Sequence, residues 1–138
     1  MKTSARNELN GTIVEMKSGG VMSEVVVKVS DDVMISANIT NDSKESLGLR
    51  VGEEVTLLVK SSFVILSKEK LRATARNNIK ATVTEVIKGA VNDEVKLSLG
   101  DKSLCSVITN DAVEDLNIKK GDLVYAMFKA SSVILVAK

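Results

Sequence analysis

The sequence predicts an all-β fold made of two small five-stranded barrels in tandem, each with one short helix. Two observations predict it: short segments alternate between apolar and polar residues, and the whole pattern occurs twice along the chain. The composition agrees, because 44% of the 138 residues are hydrophobic and 27% are charged, as is typical of a globular protein.

The strands are predicted from alternation with a period of two, which marks a segment with one face buried. The alternation is clearest over residues 24–29, 54–60, 79–84 and 94–99. Turn-forming residues separate the segments, at 18–20, 30–32, 52–53, 88–89 and 100–101. We therefore expect about five strands in each copy of the repeat.

The repeat joins two copies of one module, which we place at residues 1–69 and 70–138. The opening Ser-Ala-Arg-Asn of the first copy returns as Thr-Ala-Arg-Asn at residues 74–77, and a Lys-Ser-Ser segment returns as Lys-Ala-Ser. The join near residues 67–73 is short and charged, and it lacks the Gly/Ser or Pro content of a long flexible tether.

One short helix is expected between the third and fourth strands of each copy. Residues 42–45 and 111–114 each fit a capping box, in which an Asp is followed three residues later by a Glu. Residues 47–48 (Leu-Gly) and 116–117 (Leu-Asn) suit the end of a helix, because Gly and Asn tolerate the left-handed conformation. Five strands and one helix in so small a module indicate a closed barrel of the OB type.

Some apolar residues fall on the nominally outer faces of these strands. They are interface candidates for an oligomer, although contact between the two repeats within one chain explains them equally well. A module of this size is near the lower limit for an independent core, so association is expected to help. The residues are Val26, Leu58, Leu123 and Met127.

The composition excludes several kinds of active site. The chain has no histidine, so a Ser-His-Asp triad and a histidine-ligated zinc site are both excluded. It has one tyrosine, two phenylalanines, no tryptophan and a net charge of +1, which disfavour a nucleic-acid surface. We expect neither enzyme activity nor a resident cofactor, and no metal ion held directly by protein ligands.

The expected compartment is the cytoplasm. The single cysteine, Cys105, allows no disulfide within the chain, and a reducing compartment is then the default. Cys105 corresponds to Ser36 in the first module, so we expect it to be a small buried side chain. Residues 1–7 lack the apolar core of a secretory signal, and no apolar run has the length of a membrane span.

Four motifs, in the same order in the chain, make this sequence similar to the molbindins, the molybdate-binding Mop family. They are Ser-Ala-Arg-Asn at the start, Lys-Gly-Ala-Val-Asn-x-Glu-Val in a hairpin, Ile-Thr before the helix and Lys-Ala/Ser-Ser near the end. Here they fall at residues 4–7 and 74–77, 88–95, 39–40 and 108–109, and 60–62 and 129–131. The resemblance implies OB-like barrels, a homotrimer of two-module chains, and molybdate or tungstate as the ligand, held for storage and homeostasis.

The resemblance also implies a first class of oxyanion site, between modules. Molybdate is a tetrahedral dianion with acceptor oxygens only, so its site needs cationic and neutral hydrogen-bond donors. Arg6 offers a planar fork of donors, Lys60 offers a point charge, and nearby hydroxyls add neutral donors. The residues implied are Ser4, Arg6, Thr40, Lys60, Ser61 and Ser62 in the first module, and Thr74, Arg76, Thr109, Lys129, Ala130 and Ser131 in the second.

A second class of oxyanion site is implied at the hairpin of each module, near the trimer axis. Its residues are Gly19, Gly20 and Val21 in the first module, and Lys88, Gly89, Ala90, Val91 and Asn92 in the second. The modules differ here, because Ser18 and Met22 of the first replace Lys88 and Asn92 of the second. We therefore expect the first-module hairpin site to be weak or empty and the second-module site to be occupied.

Six of the first-class side chains have a plain structural alternative. Arg6 and Arg76 could be solvated residues at strand ends, and Thr40 and Thr109 could be helix N-caps. Lys60 and Lys129 could protect edge strands from aggregation. For the whole protein, the alternative is an oligomerisation or regulatory module that binds no ligand, while nucleic-acid and membrane partners are not expected.

Overall fold

The computed structural model describes residues 2–138, which form ten strands in two five-stranded sheets with one short α-helix beside each. Met1, the first residue of the predicted first module, lies outside the described residues. The first half contains β1 (Asn7–Ser18), β2 (Met22–Ser30), β3 (Val33–Thr40), α1 (Asn41–Leu47), β4 (Glu54–Val59) and β5 (Ile65–Ser67). The second half contains β6 (Asn77–Ile87), β7 (Asn92–Ser98), β8 (Ser103–Thr109), α2 (Asn110–Leu116), β9 (Leu123–Phe128) and β10 (Ile134–Ala137). The predicted all-β fold with two five-stranded units is confirmed.

The predicted alternation is confirmed in β2, where Val25, Val27 and Val29 are buried in the core. The interior strand β4 departs from it, because every residue of Val55–Val59 is buried. β4 lies between β1 and β10 in the sheet, and Thr56 and Leu58, on the face away from the core, are buried as well as the core residues.

The two halves exchange their last strands. The sheet orders are β10-β4-β1-β2-β3 and β5-β9-β6-β7-β8, so each sheet takes one edge strand from the other half. Ile134 of β10 pairs with Leu58 of β4, and Ile65 of β5 pairs with Met127 of β9. The boundary at residue 69 therefore describes the repeat in the sequence, whereas each sheet contains residues from both sides of it.

The exchange also explains two of the four outer-face residues. Leu58 and Met127 are 9% and 7% exposed, because each lies on the strand that receives the exchanged partner. For these two, contact between the repeats within one chain is the correct interpretation. Leu123 stays 46% exposed, and Val26 is half-buried.

Two buried asparagines tie each half to the edge strand of the other. The side-chain amide of Asn7 donates to the carbonyl of Cys105 (2.8 Å) and accepts from its backbone N–H (2.7 Å). Asn77 makes the same pair of bonds to Ser36, at 2.9 and 2.8 Å. Since β3 and β8 are edge strands, each amide substitutes for one peptide group of a missing neighbour.

Thr40 and Thr109 are the N-caps of the two helices, which confirms the structural role considered for these threonines. Each is extended, and its hydroxyl accepts from the backbone N–H three residues later, in Ser43 or Ala112, at 3.1 Å. The capping boxes predicted to begin at residues 42 and 111 are therefore wrong. An N-cap needs extended backbone and a side-chain acceptor, and the threonine at the strand end supplies both two residues earlier.

The helix ends are confirmed. α1 ends at Leu47 and α2 at Leu116, and the next residues, Gly48 and Asn117, are left-handed with φ of 62° and 52°. No helix in residues 2–138 has the length and apolar character needed to cross a membrane.

Candidate functional site

Part of the predicted first-class site forms a cleft of about 350 Å³ where the two halves meet. Its walls include Ser4 and Lys60 from the first half and Ser132 and Ile134 from the second. The strand exchange produces this combination, because the segment after residue 129 crosses over to the first half. We refer to it as the Lys60 cleft, and its other lining residues are Thr3, Ala5, Leu58 and Phe63.

Lys60 follows β4 directly, and its ammonium lies 5.4 Å from the ring centre of Phe63, within range of a cation–π contact. Ser61 and Ser62 form the short 3-10 turn Ser61–Phe63 behind it. In the second half, Lys129 precedes the matching turn Ala130–Ser132, where Ala130 is 3% exposed and offers no side-chain donor. Ser131 and Thr74 are exposed there.

The edge-protection alternative for the two lysines is wrong. Lys60 follows β4, which has β10 and β1 as neighbours, and Lys129 follows β9, which has β5 and β6. Neither strand is an edge, since the exchanged strands cover what would otherwise be open sides.

Both predicted arginines form ion pairs with carboxylates of the other half. Arg6 lies 3.1 Å from Glu94, and Arg76 lies 2.9 Å from Glu24. Both guanidinium groups are more than half exposed, so each retains donors toward solvent. Arg6 lines a second cavity of about 350 Å³ together with Glu94 and Cys105, so it and Lys60 lie in different cavities.

The Arg6 cavity contains the only cysteine of the chain. The Cys105 thiol donates to Glu94 at 3.1 Å and, with Arg6, holds the pKa of Glu94 below its ordinary value. Burial, together with that hydrogen bond, raises the pKa of Cys105 to about 11. The thiol is therefore protonated at neutral pH and is not activated as a nucleophile.

The two threonines act as helix caps, and Thr40 also donates to Ser43 Oγ at 2.9 Å. Both are exposed at the helix entrance beside the hairpins. Any contact of theirs with an oxyanion therefore remains a prediction beside this structural role.

The hairpin of the second half is organised around a buried carboxylate, Asp93, which the sequence motifs did not predict as a site residue. Asp93 is 0% exposed and accepts from Lys88 Nζ at 2.9 Å, from the Gly89 N–H at 3.2 Å and from the Asn110 side-chain amide. Burial raises the pKa of Asp93, but these hydrogen bonds outweigh it and hold the pKa below its ordinary value. We call Lys88, Gly89, Asp93 and Asn110 the second hairpin group.

Glycine is required at residue 89, because a Cβ there would lie 2.2 Å from the carbonyl oxygen of Asn92. The hairpin tip beyond it is open to solvent, with Val91 68% exposed, and Ala90 and Asn92 are exposed as well. The predicted second-class residues are therefore accessible, while the donors below them are already bonded to Asp93.

The hairpin of the first half has the same scaffold with different polar groups. Ser23 replaces Asp93, bonds to Ser18 at 3.1 Å and donates to the Asn41 side-chain oxygen. Asn41 in turn donates to the carbonyl of Gly19 at 3.0 Å, and Lys44 Nζ donates to Ser18 at 2.7 Å. We call Ser18, Gly19, Ser23, Asn41 and Lys44 the first hairpin group.

Lys44 is a functional candidate that the sequence motifs did not predict. It lies on α1, and nothing in the sequence pattern places a helix residue beside the hairpin at Ser18. Gly20, Val21 and Met22 at the tip are exposed, with Val21 at 73%. Lys44 therefore brings to this hairpin, from another element, a positive charge that Ser18 does not supply in place of Lys88.

Among residues 2–138, no group of three or more Cys, Asp or Glu side chains is arranged to hold a metal ion. The polar groups gathered in the clefts and hairpins include ammonium, guanidinium, hydroxyl and amide donors, together with the carboxylates of Glu94 and Asp93.

Known proteins share both the repeat and the fold. A model of the TOBE domain matches residues 3–66 and again residues 73–135. Molybdenum transport protein ModE from Azotobacter vinelandii is 43% identical over 137 residues, which are 98% of this chain and 51% of that protein. Molybdenum-pterin-binding protein MopA from Rhodobacter capsulatus is 38% identical over 138 residues, 98% of this chain and 52% of that protein. The chain thus spans about half the length of these two relatives.

The structural agreement extends over the whole chain. The structure of the cytoplasmic molybdate-binding protein ModG, in a form with molybdate bound, matches with a TM-score of 0.95 and 38% identity, and the match covers 100% of both chains.

Proposed function

The chain belongs to the TOBE domain family, in two copies, and on that premise we propose that it binds molybdate, or tungstate, as a cytoplasmic store of the oxyanion. The observation that carries the proposal is the agreement with ModG along the whole chain, in a structure with molybdate bound. The role is binding and release without catalysis.

The Lys60 cleft supports this function with the donor types that a tetrahedral dianion needs. Lys60, Ser4 and Ser132, whose side chains carry an ammonium and two hydroxyls, line one small cavity. Hydrogen bonds to a charged group contribute roughly 1.5–3 kcal/mol each, so several are needed to offset the dehydration of a dianion. One exposed ammonium does not suffice, and we place the completed site between copies of the chain.

The assembly in this proposal is a homotrimer. Ile65 and Ile134 are each 59% exposed, and Phe63 is 46% exposed. Phe63 and Ile134 also line the Lys60 cleft, so exposed apolar side chains lie beside its polar donors, and such exposed apolar residues mark interaction surfaces. The mass in native solution is expected to be about three times 14.8 kDa, and a monomer at micromolar concentration would contradict the assembly.

Isothermal titration calorimetry on the purified protein tests the ligand. We expect heat with molybdate and with tungstate, and none with a short oligonucleotide. Heat with the oligonucleotide alone would end the oxyanion proposal. A stable oligomer that gives no heat with either oxyanion would favour the alternative, a module for oligomerisation or regulation.

Substitution of the cationic donors tests the sites. Lys60→Ala is expected to weaken molybdate binding by about tenfold or more, since one charge-assisted hydrogen bond is lost. Lys120→Ala, in an exposed turn, is the matched control and is expected to bind as the unmodified chain does.

The arginines are tested in the same way. Arg6→Ala and Arg76→Ala should each weaken binding by about tenfold or more. The melting temperature should change little, because exposed ion pairs contribute about 0–1 kcal/mol. A large fall in melting temperature with unchanged binding would show that the pairs with Glu94 and Glu24 are structural only.

A further inference from the structure

The two hairpins provide a comparison within one chain. Ser23 and Asp93 occupy equivalent positions near the start of β2 and β7, and both are buried, at 1% and 0% exposed. In both halves, the first helix residue is bonded to the hairpin tip through its backbone N–H, from Asn41 to Val21 O at 2.8 Å and from Asn110 to Val91 O at 2.9 Å. The scaffold is therefore the same, and the buried polar side chain differs.

In the second hairpin group, Asp93 already holds the donors that an oxyanion would use. Lys88 contributes an ammonium, Gly89 a backbone N–H and Asn110 an amide, and all three donate to one carboxylate. These are the donor types that bind a tetrahedral oxyanion. The carboxylate is held in a buried position, and its hydrogen bonds keep it ionised at neutral pH.

In the first hairpin group, the buried side chain is a neutral hydroxyl. The charged member is Lys44, whose ammonium donates to Ser18 Oγ at 2.7 Å and has two further N–H donors. The bonded set therefore has a positive charge with no carboxylate among its members, whereas Lys88 and Asp93 neutralise each other.

We propose that Asp93 acts as a built-in anion that keeps oxyanions out of the second hairpin, so that the first hairpin, with Ser23 and Lys44, is the one that binds. This inference rests on the proposed function. From Met22 and Asn92, the second hairpin was expected to be the occupied one, and the inference reverses that expectation. A fixed carboxylate repels a dianion strongly in a partly desolvated site, and it also occupies the donors.

Removal of the carboxylate tests the inference. Asp93→Asn keeps the shape and deletes the charge, and Asp93→Ser copies the residue that the first hairpin holds at the equivalent buried position. Both are expected to bind more molybdate ions per chain than the unmodified protein in calorimetry, with affinity at the second hairpin raised about tenfold or more. The double variant Ser18→Lys, Ser23→Asp places the lysine and aspartate of the second hairpin in the first hairpin. It is expected to bind fewer molybdate ions per chain than the unmodified protein.

Anomalous diffraction from a molybdate-soaked crystal locates the ions. The inference expects a peak at the Ser23 end of the unmodified molecule, none at the Asp93 end, and a new peak there in Asp93→Asn. Unchanged stoichiometry in both Asp93 variants, while the unmodified chain binds molybdate, would overturn the inference and leave the proposed function standing. No binding by any variant at any position would overturn both.

Discussion

Asn7 and Asn77 show how much a single side chain contributes to this fold. Each is 2% exposed and satisfies both backbone groups of an edge residue in the other half. Loss of the Asn7 amide would leave the buried N–H and carbonyl of Cys105 without partners, at about 1–3 kcal/mol each. These asparagines belong to the repeated motif with Arg6 and Arg76, and the structure gives this part of the motif a structural role.

Asp93 makes the free energy of unfolding decrease at acid pH. Because its folded pKa is held below the ordinary value of 3.8, the unfolded chain binds more protons in this range. The stabilisation is therefore complete above the ordinary pKa and is lost as the pH falls through the lowered one.

As the pH is lowered from 5 to 3, we expect the free energy of unfolding to fall less for Asp93→Asn than for the unmodified protein. Urea denaturation at several pH values in this range measures it, and Asp101→Asn, at an exposed turn, is the control. Parallel pH curves for Asp93→Asn and the unmodified protein would show that this carboxylate does not contribute.

At the scale of elements, local chemistry predicted much of the molecule. The left-handed ends at Gly48 and Asn117 were predictable because few residue types tolerate that conformation. The helix starts were misplaced, because an Asp two residues into each helix fits the capping pattern as well as the preceding threonine does. The contact between Lys44 and Ser18 could not be predicted, since the two residues are 26 positions apart in the sequence and no local pattern connects them.

The helix starts give a direct prediction. Thr109→Ala should destabilise the protein by about 1 kcal/mol, because the Ala112 N–H loses its acceptor at 3.1 Å. Asp111→Ala, which alters the box predicted from the sequence, should change the free energy of unfolding by less. Equal losses in the two variants, measured by urea denaturation, would contradict the assignment of the cap to Thr109.

At the scale of the whole molecule, the sequence predicted two modules but not their interlocking. Alternation of apolar residues reports which face of a strand is buried, and it carries no information about which sheet the strand joins. β5 and β10 are short and follow equivalent turns, so pairing within a half and pairing across halves look the same in the sequence. The Lys60 cleft exists only in the exchanged arrangement, because its wall at Ser132 and Ile134 comes from the other half.

Because the last strands are exchanged, a core substitution in β5 or β10 is expected to destabilise the sheet of the other half of the chain. Leu135, in β10, is 8% exposed and pairs with Leu57 of β4. Leu135→Ala is expected to cost about 2–4 kcal/mol and to accelerate amide hydrogen exchange first in β4 and β1 of the first half. Leu66→Ala, in β5 at 7% exposed, is the mirror experiment, and its effect should fall on β9 and β6. If each variant instead loses protection in its own half of the sequence, the two sheets are not interlocked.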